Sequence, residues 1–204
     1  MSPSMTTTIE SQLRQMKDGL DLRPDQIDTT QLVPVFIPAS FVALGDWPGP
    51  YERLRAREVV LTWAVLFPGQ TMRSVNSEMQ QHWDTQQLDW KAAALRNLSR
   101  ITGDQPGVRE LRRATGEVSA VAFMFEDGLG PSRLLFRRSL AERFPAGYRV
   151  AMPEMSCGLA FAGDLQGQDL STVQDLIDHC YQKGTRPMAP GSYDPEDLLG
   201  LDDE

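Results

Sequence analysis

The sequence predicts an α+β fold: a mixed or antiparallel sheet with helices packed mainly on one face. Three observations lead there. The predicted elements run helix, strand, strand, helix, helix, then hairpin, helix, hairpin, helix. That order lacks the strict alternation of strand and helix that builds a parallel sheet. A chain of 204 residues with 41% hydrophobic and 24% charged residues has a globular balance, enough for one well-buried core. No apolar run approaches the roughly 20 residues a membrane-crossing helix needs.

The elements are justified in chain order. Thr7 or Thr8 can cap a first helix with Ile9, Leu13 and Met16 on one stripe and Gly19 at its end. Leu32 to Ile37 is apolar but holds Pro34 and meets Pro38, which makes it an edge strand or an extended arm. Gly45 to Pro50 is a surface loop that carries Trp47. Glu58 to Phe67 is a near-continuous apolar run, a strand buried on both faces, stopped by Pro68-Gly69. Residues 74–101 read as two helical pieces. The first carries Val75, Met79 and Trp83; the second carries Leu88, Ala92, Leu95 and Leu98 from a cap at Asp84 or Thr85. Residues 103–117 are polar, a linker or a solvated hairpin.

The second half begins with a strand, Val118 to Phe125, whose hairpin partner is expected at Ser132 to Phe136 through the turn Asp127-Gly128-Leu129-Gly130. A short helix follows at Arg138 to Phe144. Tyr148 to Met152 and Gly158 to Ala162 form a further hairpin, and a capping box at Ser171-x-x-Gln174 opens a last helix that Gly184 closes. Beyond Pro187 nothing is expected to pack. The organisation predicted is residues 1–30 as helix and connector, 31–186 as one α+β domain, and 187–204 as a flexible acidic tail.

The order of a strand from Leu61, Lys91-Ala92-Ala93-Ala94-Leu95-Arg96-Asn97-Leu98, Ser132-Arg133-Leu134-Leu135 and Gly147-Tyr148-Arg149-Val150-Ala151-Met152-Pro153 resembles the YtpQ-like family of uncharacterised bacterial proteins. The likeness covers roughly residues 61–164. It departs where a polar, Arg-containing turn would follow Pro153 and Glu154-Met155-Ser156 stands instead. The resemblance implies a fold and carries no catalytic residue over to this chain.

Charge is unevenly spread. Six acids and no base lie in residues 194–204, while ten arginines against six acids lie between Arg96 and Arg149. An overall net charge of −8 argues against nucleic acid as a partner. The polar stretch Met1 to Glu10 lacks a basic segment leading into an apolar one, so a cytoplasmic location is expected. Two cysteines and two histidines, scattered, do not make a zinc site, and no metal or cofactor is expected.

Candidate chemistry is sparse. Cys157 and His179 are the candidate catalytic residues, and a Cys157–His179 dyad requires the last helix to pack over the turn before Cys157. Asp175 stands four residues before His179, a spacing that allows a surface pair. Arg133, Arg137 and Arg138 suggest a small basic face. Tyr193, Leu198, Leu199 and Leu201, interleaved with the tail's acids, make an amphipathic peptide. That peptide is either a solubilising terminus or a docking motif, for a partner groove or for the chain's own arginine-rich middle. The function expected is a non-enzymatic protein–protein interaction module of adaptor, immunity or chaperone type; the alternative is a small hydrolase built on Cys157 or a histidine. Oligomeric state is left open.

Overall fold

The computed structural model describes residues 24–67, 71–103 and 107–200. The expected helix around Ile9 to Met16 and the Pro68-Gly69 stop lie outside the described residues. The fold is α+β with two antiparallel sheets where one was expected.

In the first sheet β3 (Val59–Phe67) is central. β1 (Leu32–Pro38) pairs along it from Leu32 opposite Val65 to Pro38 opposite Val59. On the other side β2 (Tyr51–Arg53) and β4 (Thr71–Ser74) share β3 end to end. Pro34 faces Trp63 from a strand whose only described neighbour is β3, so the missing proline N–H interrupts no interior ladder. Both faces of β3 are covered. Trp63 and Val65 meet the helices on one side, while Val60 and Ala64 meet Val33, Val35 and Leu129 on the other. That explains the unbroken apolar run.

Between β1 and β2 lies a single helical turn, α1 (Ser40–Ala43). The helices α2 (Ser77–Thr85) and α3 (Trp90–Gly103) follow β4. Asn76 Oδ1 accepts from Met79 N at 2.8 Å, and Asp89 Oδ1 from Ala92 N at 3.2 Å. The second cap therefore falls later than Asp84 or Thr85, and it rotates the helix. Trp90, Ala94 and Leu98 are buried, whereas Leu88 and Leu95 are each 41% exposed. A Trp cluster decides the register. Trp90 meets Trp63 edge-on at 5.1 Å, lies 5.7 Å from Trp83, and donates Nε1–H to Asp84 Oδ1 at 2.8 Å.

The second sheet has the order β5-β6-β8-β7-β9. Its strands are β5 (Val108–Arg112), β6 (Val118–Met124), β7 (Tyr148–Glu154), β8 (Cys157–Ala162) and β9 (Ser192–Tyr193). The polar stretch 103–117 supplies β5, a solvated edge. Residues Ser132 to Phe136 are not a strand: Pro131–Leu135 is a 3-10 helix, and β6 lies between β5 and β8. The cause is a close crossing of two glycines. A Cβ on Gly130 would lie 2.3 Å from the Ser156 carbonyl oxygen, and one on Gly158 would lie 2.5 Å from that of Gly130. The segment after β6 passes flat over β8, where side chains on a returning strand could not fit.

Helix α4 (Arg137–Arg143) follows as expected. The last helix, α5 (Gly167–Lys183), begins four residues before Ser171, with Gln166 at its N-cap and Asp169 in the first turn, where an acid suits the helix dipole. Gly184 ends it. Phe36 and Val59 of the first sheet, with Leu54 just beyond β2, join Val121, Val150 and Leu159 of the second in one apolar cluster, which binds the two sheets together. Among the described residues no helix is long and apolar enough to cross a membrane.

Candidate functional site

The segment 187–200, expected to be a flexible tail, is laid against the body. Met188 N donates to Pro153 O at 3.0 Å and Ala189 N to Met152 O at 3.1 Å, after which β9 pairs with Val150 and Ala151 of β7. The strap then crosses to the first sheet, where Ala56 N donates to Asp197 O at 2.9 Å and Leu54 bridges Gly200. Apolar anchors hold it. Leu198 is buried in the shared core; Tyr193 is buried too, and its hydroxyl donates to the Glu58 carboxylate. Burial first, then that acceptor, pushes the Tyr193 phenol up. Each anchor contributes about 1.5–3 kcal/mol of burial.

The strap's acids meet arginines of the middle of the chain. Arg137 Nη2 lies 3.0 Å from Glu196, and Arg149 reaches Asp194 at 3.2 Å and the Ser192 carbonyl at 2.9 Å. These pairs are largely exposed, each worth at most about 1 kcal/mol, so they set register more than stability. Leu199 is exposed, and Leu201 lies outside the described residues.

The expected basic face of Arg133, Arg137 and Arg138 does not exist as a unit. Arg133 is fully buried and bidentate to Asp127, with Nη2–Oδ2 at 2.7 Å and Nη1–Oδ1 at 3.1 Å. Its Nε donates to Thr102 Oγ1 at 3.0 Å and its guanidinium lies 3.4 Å from the Phe125 ring centre. Asp127 also accepts from Leu129 N at 2.9 Å. This is a structural staple that ties the loop after β6 to α3. Arg138 is almost fully exposed and, among the described residues, pairs only with Glu142 one turn on. Trp47, expected on an open loop, is half-buried against the Val33–Val60 cluster. The loop is drawn in because Gly49 passes under Val75 so closely that a Cβ would lie 1.7 Å from its carbonyl oxygen.

A cavity that sequence reasoning missed lies beside the strap's crossing point. It encloses about 410 Å³ and is floored by Ala39, Val42, Leu54, Val59 and Val60, with Arg53 and Arg57 at its mouth. Neither arginine has an ion pair among the described residues. The volume is that of a small-ligand or side-chain pocket, and its make-up, an apolar floor with a few charges, is the usual one for recognition. The signal was present in Arg53-Leu54-Arg55-Ala56-Arg57, where arginines alternate with residues that prove buried (Leu54 1%, Ala56 3% exposed).

The last helix does pack over the β7–β8 turn, but it presents Cys180 to Cys157, not His179. His179 is exposed and makes no ion pair with Asp175; His82 Nε2 accepts a hydrogen bond from Gln86 Nε2 at 3.0 Å on the surface. The interaction with Cys180, and then burial, push the Cys157 thiol up, while the same interaction, working against burial, brings Cys180 down to about 7. Cys157 is thus the poorer nucleophile of the two, and the Cys157–His179 dyad is not assembled. Glu154, buried beside them, is engaged by Ser156 N at 2.6 Å, by the Ser156 hydroxyl and by Arg186 N at 3.3 Å. Among the described residues no three His, Cys, Asp or Glu side chains are grouped to hold a metal ion. No protein-family model matches the chain, and neither a curated protein nor a solved structure matches it.

Proposed function

We propose that the protein is a non-enzymatic protein–protein interaction module whose partner inserts an acidic, apolar-anchored peptide segment into the cavity beneath Arg53 and Arg57. The observation that carries this reading is the cavity's chemistry: an apolar lining that accepts an aliphatic side chain, and two arginines that make no ion pair among the described residues and can accept carboxylates. The body already holds one segment of this class, its own residues 192–199, through buried Leu198 and the acid–arginine contacts of Glu196 and Asp194. The exposed Leu44, which follows α1 beside the cavity, extends the apolar contact surface. The likeness of residues 61–164 to the YtpQ-like family adds fold motifs to this reading and no activity.

The test uses a fluorescent peptide with the sequence of Tyr193 to Glu204 as an acidic–apolar probe, titrated by anisotropy against the full chain. Binding in the micromolar range, weakened at least about tenfold by Arg53→Glu with Arg57→Glu, is expected. No binding, or binding abolished instead by Arg137→Glu with Arg149→Glu, would show that the cavity is not the recognition site.

A further inference from the structure

The pair Cys157 and Cys180 is built into a rigid junction. Cys157 opens β8 and lies opposite Glu154 in the hairpin, buried in the core. Cys180 lies in the last turn of α5, half-buried against the same cluster. The helix end is fixed there. Cys180 O accepts from Gly184 N at 2.9 Å, and Gly184 packs so tightly on Glu154 that a Cβ would fall 2.2 Å from its Cγ. The junction sets Cys180 against the apolar cluster that contains Cys157, one cysteine half-buried at the surface and the other buried behind it.

We propose that Cys180 is a redox-modification site for small-molecule disulfides of the glutathione type, with Cys157 as its resolving thiol. The Cys180 thiolate attacks one sulfur of the disulfide, forms a mixed disulfide and expels one thiolate, which takes up a proton. Cys157 then gives up its proton as its sulfur attacks Cys180 Sγ, and the second small thiol leaves. Two protein S–H groups and one small disulfide become one Cys157–Cys180 disulfide and two small thiols. The protein pair loses two electrons and the small disulfide gains them. The division of labour follows from placement: the accessible thiol, stabilised as thiolate by its neighbour, attacks first. The buried one, shielded from bulk reagents, can reach only Cys180. Glu154 is the charged group that faces both, and its carboxylate opposes ionisation of either thiol.

The full chain, incubated with glutathione disulfide at neutral pH and followed by intact mass without reductant, should lose the mass of two hydrogens, with peptide mapping placing the bond between Cys157 and Cys180. Cys157→Ala should instead trap one glutathione on Cys180. A thiol probe should label Cys180 at least about tenfold faster than Cys157 in the unmodified chain. A stable glutathione adduct on the unmodified chain with no internal disulfide would overturn the resolving role of Cys157. Failure of Cys180 to react would overturn the site itself. The unmodified-chain measurements decide both points even if the substituted chain folds poorly.

Discussion

Replacing Arg133 by Met tests whether a buried ion pair, and not apolar packing alone, holds the loop after β6. Arg133 is 0% exposed and Asp127 4%. The substitution removes both guanidinium–carboxylate hydrogen bonds, the bond to Thr102 and the stacking on Phe125, and leaves Asp127 with only the Leu129 N–H. Breaking a buried pair from one side costs about 3–5 kcal/mol, because the remaining charge stays desolvated. For a chain of this size each kcal/mol lowers the midpoint by about 2–4 °C, so a fall of roughly 6–20 °C is expected. Arg133→Lys keeps the charge but loses the planar fork, and should fall between the two. Adding Asp127→Asn to Arg133→Met removes the orphaned charge, so the double variant should lose less than the sum of the single variants. Urea unfolding at unchanged m-value, followed by tryptophan fluorescence, measures all four. An Arg133→Met midpoint indistinguishable from the parent, or strictly additive singles, would refute the reasoning.

Two further predictions follow from the structure. Leu98→Ala should cost about 2–5 kcal/mol while Leu95→Gln stays within about 0.5 kcal/mol, since Leu98 is 0% and Leu95 41% exposed; equal losses would mean that α3 presents a different face. Stability should also depend on pH through the thiol pair. Cys180 titrates near 7 when folded against an ordinary thiol value of 9.0, so its contribution is present above 9, falls as pH drops from 9 to 7, and is lost below. Cys157 is pushed up, so its contribution has the opposite sign and declines as pH rises beyond the ordinary thiol value. Urea midpoints under reductant, taken as the difference between the parent and a Cys157→Ala, Cys180→Ala chain, should peak near pH 9; a flat difference curve would sink the coupling.

What the sequence disclosed was periodicity and punctuation. The run Val59 to Phe67 and the hairpin on either side of Met155-Ser156 were legible because β-branched and aromatic residues and turn residues act locally. Pro34 marked an edge. What stayed hidden depended on contacts between distant segments. The face of α3 was set by a Trp63–Trp83–Trp90 cluster that overrode the Leu88–Ala92–Leu95 spacing. The segment after Gly130 was set by a glycine crossing that only the fold brings together. At the thiols, the sequence made a Cys157 site conditional on the last helix packing over its turn; α5 does pack there, but it presents Cys180, not His179, to that turn. The arginine-rimmed cavity left only the alternation at Arg53 to Arg57 as a trace. The acidic segment was recognised as amphipathic, yet its grip on Val150, Glu58 and Leu54 has no local signature.

That strap also orders events in time. Tyr193 reaches back 135 positions to Glu58, and Leu198 fills a core whose other walls come from residues made long before it. A chain emerging residue by residue can pair β3 with β1 and β8 with β7 early, but the apolar seam between the two sheets stays uncovered until residues 187–200 arrive. The strap's first residues, with Met188 and Ala189 buried and hydrogen-bonded to Pro153 and Met152, are therefore among the last contacts that a growing chain makes to close this seam.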